Sequence, residues 1–143
     1  MADTPRLVVI DDDTGVLKAL SMLLQAIGYG VTPFSSATAA LDHITSSQAV
    51  DIVVSDLRMA PVSGEDVLQG VRRYSTELPV IIMSGHATPE EVKRLSDLGM
   101  NGFLPKPFTP EMFNRTISEV HKTARTGLKG PVTPCLRPAS ARG

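Results

Sequence analysis

The sequence has no tryptophan, a single cysteine and an aromatic content of only 4%. With Cys135 alone, no internal disulfide framework is possible, and the composition fits a reducing compartment. Neither sign of charge dominates. Lys and Arg number 14 against 15 Asp and Glu, a formal net charge of −1, so no global attraction draws the chain to nucleic acid or to an anionic membrane. Long hydrophobic runs are missing too. Leu7-Val8-Val9-Ile10 and Val80-Ile81-Ile82-Met83 are strand-sized, far short of the roughly 20 apolar residues that span a bilayer. Met1-Ala2-Asp3-Thr4-Pro5 lacks a basic stretch followed by an apolar one, so no secretory leader is read and a cytoplasmic location is expected. What is present is ordinary globular material. The chain is 42% hydrophobic over 143 residues, which suits one domain.

The apolar residues alternate between two periods. Arg6–Ile10 reads as a buried strand, and Val16, Leu17, Leu20, Leu23, Leu24 and Ile27 follow at helical spacing up to Gly28. Gly30–Phe34 is a weaker strand, placed at a sheet edge because Pro33 cannot donate to a ladder. Ala37–Ile44 reads as a helix capped by Ser35 or Ser36. The unit repeats with strand Asp51–Ser55 and helix Gly64–Tyr74, then strand Pro79–Met83. Thr88-Pro89-Glu90-Glu91 spells a capping box that opens a fourth helix running toward Gly99. Gly102–Leu104 is a short fifth strand, and Thr109-Pro110-Glu111 opens a last helix with Phe113, Ile117 and Val120 on its apolar face. Five βα units predict an α/β domain over 1–122, with a five-stranded parallel sheet and helices on both faces. Residues 123–143 carry Arg125, Lys129, Arg137 and Arg142, no acids and several Pro and Gly, and read as a disordered basic tail or linker.

Open α/β sheets bind ligands beyond the carboxyl ends of their strands. Here the first strand ends in Asp11-Asp12-Asp13, the third in Asp56 and the fourth in Ser84, while the fifth runs into Lys106. Singly, these are ordinary: Asp13 is a natural helix N-cap, and a lone Ser or Lys is usually surface. Jointly they place carboxylates, a hydroxyl and an ammonium on one rim. Carboxylates about 4 Å apart repel by roughly 4 kcal/mol at an effective dielectric of 20. Such a cluster calls for a cation or for protonated members, all-oxygen ligands favour a hard cation such as Mg²⁺, and a neighbouring ammonium suits a phosphoryl group.

Over residues 6–121 these residues, in this order, resemble the receiver domain of two-component response regulators. The resemblance rests on Asp11-Asp12, on Val53-Val54-Ser55-Asp56-Leu57-Arg58-Met59, on Met83-Ser84-Gly85-His86-Ala87 and on Lys106-Pro107-Phe108. It implies a flavodoxin-like fold of strand order 2-1-3-4-5. It also implies a signalling domain rather than an enzyme, limited to its own phosphoryl transfer and slow autodephosphorylation. Asp56 is then the phosphoacceptor, served by a sensor histidine kinase or phosphotransfer protein. Mg²⁺ is held by Asp11, Asp12, Asp56 and the backbone carbonyl of Arg58. Lys106 and Ser84 bind the phosphoryl oxygens, and Gly85 leaves room for their approach. Phe103 matches the family's switch aromatic and is expected to turn inward on phosphorylation. Lys106–Pro107 matches a cis peptide, and the face of helix 4, strand 5 and helix 5 matches a partner or homodimer surface. Nucleic-acid binding by this domain is not expected. One departure stands out: Met59-Ala60-Pro61-Val62-Ser63-Gly64 sets its proline one place later than the family does, at unchanged loop length.

Two other readings fit parts of the pattern. Leu7-Val8-Val9-Ile10-Asp11-Asp12-Asp13-Thr14 resembles the first motif of haloacid-dehalogenase-like phosphatases, with Asp11 as nucleophile and Asp13 as acid. Gly15, the missing cap insertion and the lack of an acidic pair after Lys106 weigh against it. A flavin-binding module of the same topology would need phosphate donors where Asp11-Asp12-Asp13 presents anions.

Overall fold

The apolar runs become five strands, and each polar residue that ends a run is delivered to one edge. The computed structural model describes residues 4–46 and 49–126. Strands β1 (Arg6–Ile10), β2 (Gly30–Phe34), β3 (Ile52–Asp56), β4 (Val80–Ser84) and β5 (Gly102–Pro105) alternate with helices α1 (Thr14–Ile27), α2 (Ala37–Ile44), α3 (Gly64–Tyr74), α4 (Pro89–Asp97) and α5 (Pro110–Thr126). The sheet order is β2-β1-β3-β4-β5, with every neighbouring pair parallel. Pro33 lies on edge strand β2, where a missing donor costs least.

Successive side chains of a strand face opposite sides, and both sides are covered. Val8, Ile10, Val53 and Ile82 pack toward Ile44 of α2, Val67 and Leu68 of α3 and Leu95 of α4. Leu7, Val9, Val54 and Met83 pack toward Leu20 and Leu24 of α1 and Phe113 and Ile117 of α5. Two covered faces explain why β3 and β4 are buried at every position.

The helix starts are held by their own side chains. Asp13 accepts from the backbone N–H groups of Gly15 and Val16, Ser36 from that of Ala39, and Ser63 and Thr88 each close a capping box. Of the two candidate serines, Ser36 is thus the cap. Gly28, with φ of +120°, donates its N–H to the carbonyls of Leu24 and Gln25.

Several boundaries shift from the sequence reading. β3 and β4 each start and end one residue later than apolarity alone indicates, because Asp56 still pairs with Met83 and Ser84 with Pro105. Asp51 instead spends its carboxylate on the Arg6 N–H at 2.7 Å. α5 continues through Thr126, four residues past the 1–122 boundary. Its apolar face ends near Val120, but Lys122, Ala124 and Arg125 are good helix formers and no breaker precedes Gly127. Of the expected tail, residues 127–143 lie outside the described residues. Among the described residues, no helix is long and apolar enough to cross a membrane.

Candidate functional site

Parallel strands all end on the same edge, so the residues after β1, β3, β4 and β5 share a rim. Asp56 is the last residue of β3 and Ser84 the last of β4. Asp11 follows β1, and Lys106 follows β5. Lys106 Nζ donates to Asp56 Oδ1 at 2.6 Å and lies 3.5 Å from Asp11 Oδ2. Two buried carboxylates thus face one half-buried ammonium, which leaves the pocket with an excess of negative charge.

The electrostatics follow from burial. Burial pushes the Asp11 carboxyl above its usual range; the Asp13 N–H, which it accepts at 3.0 Å, pulls it back, and the charge of Asp56 pushes it further up. For Lys106, burial by itself would lower the ammonium's pKa. The hydrogen bond and charge of Asp56, with Asp11 behind it, outweigh that and hold it above the ordinary lysine value.

Asp11 Oδ2 is buried and has no hydrogen-bond partner. Its nearest counter-charge is Lys106 Nζ, 3.5 Å away and already bonded to Asp56, and a carboxylate oxygen so weakly satisfied beside a second carboxylate suits a hard divalent cation. The gathering is smaller than the rim of carboxylates expected from sequence. Among the described residues, no three His, Cys, Asp or Glu side chains lie close enough to hold a metal by themselves. Asp12 is exposed, and Asp13 is committed to capping α1 through Gly15 and Val16 at 3.0 and 3.1 Å. The reason is local: the chain turns sharply after Asp11, so three adjacent carboxylates take three different duties. A cation here would draw on two or three side chains, one backbone carbonyl and water, which suits Mg²⁺ because it dehydrates reluctantly. The cap duty of Asp13 Oδ1 also weighs against its use as the acid in the phosphatase reading.

Ser84 is buried, and its Oγ accepts the His86 N–H at 3.2 Å. Gly85 is exposed, and a Cβ there would meet nothing nearer than Lys106 Cβ at 3.8 Å. Phe103 does not await an inward turn. It is already 2% exposed on β5, packed in the layer under α4 and paired in register with Ile82. The alternation of β5 aims position 103 into that layer, so the expected inward movement is corrected: the aromatic already occupies its inward place. The Lys106–Pro107 peptide is cis, as is Ala60–Pro61.

Two contacts escaped the sequence reading, the packing behind Gly64 and the side-chain bonds of Arg58. A Cβ on Gly64 would sit 2.4 Å from the Asp56 carbonyl oxygen and 2.8 Å from Leu57 Cα; α3 begins hard against the backbone that carries Asp56. The available signal was a glycine where the loop from Met59 meets the helix Gly64–Tyr74. Arg58, whose carbonyl was the expected ligand, sends its guanidinium to Glu91 Oε1 at 2.8 Å and to the His86 carbonyl at 3.4 Å. A larger groove of about 760 Å³, lined by Tyr29, Asn114, Ser118 and His121 among others, shares no residue with this rim.

Comparison with known proteins agrees with this fold. A family model described as the response regulator receiver domain matches residues 7–118. The transcriptional regulatory protein FixJ of Bradyrhizobium diazoefficiens is 32% identical over 129 residues, covering 90% of this chain and 62% of FixJ. The response regulator protein TodT of Pseudomonas putida is 38% identical over 104 residues, covering 72% of this chain and 45% of TodT. The chain therefore spans only about half the length of the curated relatives it matches. Among solved structures, a response regulator receiver domain protein from Clostridium thermocellum superposes with a TM-score of 0.81 at 26% identity, covering 87% of this chain and 99% of that one. Full-length FixJ from B. japonicum gives 0.78 at 32% identity, covering 86% of this chain and 60% of that one.

Proposed function

This chain belongs to the response regulator receiver domain family, and on that premise we propose that Asp56 accepts a phosphoryl group from a phosphohistidine of a sensor histidine kinase or phosphotransfer protein. The observation that carries the reading is the pairing of Asp56 Oδ1 with Lys106 Nζ at 2.6 Å beside the buried Asp11 Oδ2, which makes no hydrogen bond. An Asp56 oxygen forms the new P–O bond as the P–N bond to the donor imidazole breaks, and the leaving imidazole takes up a proton. Asp11, Asp12, Asp56 and the Arg58 carbonyl would hold Mg²⁺, which when bound supplies charge neutralisation for the transferring group. Lys106 releases Asp56 to attack and then pairs with the phosphoryl oxygens. Ser84 donates its hydroxyl to one of them. No other substrate turns over; the domain modifies itself and changes what it binds.

The donor protein needs a surface near the rim. α1 opens beside it at Asp13, and midway along its outer side Met22 is 60% exposed. Lys18 is the one charged residue in its 14. An exposed methionine on a nearly uncharged helix that starts at the rim suits a partner with an apolar contact of its own. The face formed by α4, β5 and α5 is assigned to the downstream partner or to a second copy.

The test is intact mass after incubation with acetyl phosphate and Mg²⁺. One added phosphoryl group is expected, absent in Asp56→Asn and absent when the divalent ion is removed. Label found on Asp11 would overturn the assignment in favour of the phosphatase reading.

A further inference from the structure

α4 is attached differently from the other helices. Only Leu95 is buried among its nine residues, whereas α3 buries Gly64, Val67, Leu68 and Val71. Val92 and Leu98 pack half-buried against the same core as Leu95, and the side-chain polar ties that hold α4 to the rest of the domain are charged and come from the β3–α3 side. Arg58 reaches Glu91 at its N-terminal end, at 2.8 Å. Arg94 pairs with Glu65 of α3, also at 2.8 Å. Arg72 of α3 donates to the Gly99 carbonyl just past its end, at 2.8 and 3.2 Å. The first tie differs from the other two because it starts in the loop that follows Asp56. Arg58 lies two residues after Asp56, and its guanidinium also bonds the carbonyl of His86, whose own N–H is held by Ser84 Oγ. Glu91 Oε1 at the same time accepts the Thr88 N–H at 3.0 Å in the capping box. One carboxylate therefore joins the loop after the acceptor, the loop after Ser84 and the first turn of α4. The Thr88 N–H and the Arg58 guanidinium together hold that carboxyl below its usual range, so it stays ionised at neutral pH.

We propose that Glu91 is a positioning residue: through Arg58 it pins the segment from Ser84 to Thr88 and thereby restrains the approach of Ser84 to a group on Asp56. The pin exists whatever the site does, and its effect on transfer rests on the phosphoacceptor reading given above. Both partners are partly exposed, at 55% and 35% of their side chains, so the restraint is modest and sensitive to salt. It is a brake that gives way, not a lock.

Glu91→Gln tests this, because Gln at the third helical position still closes a capping box while its charge is gone. In the unlabelled protein at low salt, amide hydrogen exchange at residues 85–88 is expected to quicken by roughly two- to five-fold. Wild type should approach the variant's rates near 1 M salt, where the Debye length is about 3 Å. Glu65→Gln, which cuts the Arg94 tie instead, is expected to leave residues 85–88 unchanged. With acetyl phosphate and Mg²⁺, Glu91→Gln should label Asp56 faster than wild type by a similar factor. Unchanged exchange in Glu91→Gln, or an equal rise in Glu65→Gln, would overturn the pin. Faster exchange with an unchanged labelling rate would overturn its role in transfer. A wild type that never labels refutes the phosphoacceptor reading while leaving the exchange result to decide the pin.

Discussion

Lys106 and Asp56, 50 positions apart in sequence, meet with Nζ 2.6 Å from Oδ1. They meet because β3 and β5 flank β4 in a parallel sheet and all three strands end on one edge. The ammonium is the one cation within hydrogen-bonding reach of Asp56 among the described residues, and it stands between two buried carboxylates.

Replacing it should therefore be costly to stability as well as to signalling. Lys106→Met keeps most of the aliphatic stem and leaves Asp11 and Asp56 facing each other without a counter-charge. A loss of about 1–3 kcal/mol is expected at pH 7, toward the lower figure because Lys106 is partly exposed. The pH dependence has a definite sign. The folded pKa of Lys106 is raised above the ordinary 10.5, so its contribution is present in full below that value and fades only as pH rises through the raised one. Urea unfolding at pH 7 and pH 9 should show the same deficit in the variant. A deficit that disappears by pH 9 would refute this account.

Asp11→Asn should do the opposite. The Asp11 carboxyl is raised from 3.8 by burial, so the folded chain keeps this proton to higher pH than the unfolded chain does. Stability then falls as pH climbs from the ordinary carboxylate range to the raised value, and stays lowered above it. The amide carries no such cost. Its melting temperature at pH 7 is expected to exceed that of wild type by roughly 2–5 °C, the gap narrowing toward pH 4. Mg²⁺ should raise the midpoint of wild type and have little effect on the variant, as read by thermal melts with and without the ion.

The fold was legible because its signals are local. Alternation of apolar runs with helical stripes, the cap at Asp13 and the box at Thr88 each need only a few adjacent residues. The site was legible as an order of residues on strand ends, which a parallel sheet turns into proximity. Contacts between distant segments were not legible. Nothing near Arg58 in sequence points to Glu91, 33 positions away. Nothing near Arg72 predicts its bonds to the Gly99 carbonyl and Asn101 Oδ1. The inward placement of Phe103 depends on the β5 register against Ile82, which sequence periodicity over four residues cannot fix.

The α1 face gives a prediction that separates docking from chemistry. Met22 is 60% exposed and touches no part of the acceptor pocket named above. Met22→Lys should leave labelling by acetyl phosphate unchanged, since that donor needs only the pocket. Transfer from a phosphorylated cognate kinase should slow by about tenfold or more, as expected when a charge enters an apolar contact. Equal rates from the kinase for variant and wild type would remove α1 from the docking surface.

Two glycines at the site make opposite demands, and the contrast can be measured. At Gly64 an added methyl would fall 2.4 Å from the Asp56 carbonyl oxygen and 2.8 Å from Leu57 Cα. Both neighbours are backbone, and the Gly64 N–H is itself bonded to the Leu57 carbonyl at 2.9 Å, so the start of α3 cannot retreat without breaking that bond. Gly64→Ala must therefore push the strand end that carries Asp56, changing its position against Lys106. A loss of about 1–3 kcal/mol is expected, together with slower labelling by acetyl phosphate. At Gly85 the nearest atom to a new methyl is Lys106 Cβ at 3.8 Å, an ordinary contact. Gly85→Ala should keep wild-type stability to within about 0.5 kcal/mol, so any change in its labelling reports the space that the incoming phosphoryl group needs. Chemical denaturation and labelling time courses on the two variants give four numbers. A Gly64→Ala protein as stable as wild type would show that the loop from Met59 to Ser63 yields instead, and that Asp56 is not held from behind by α3.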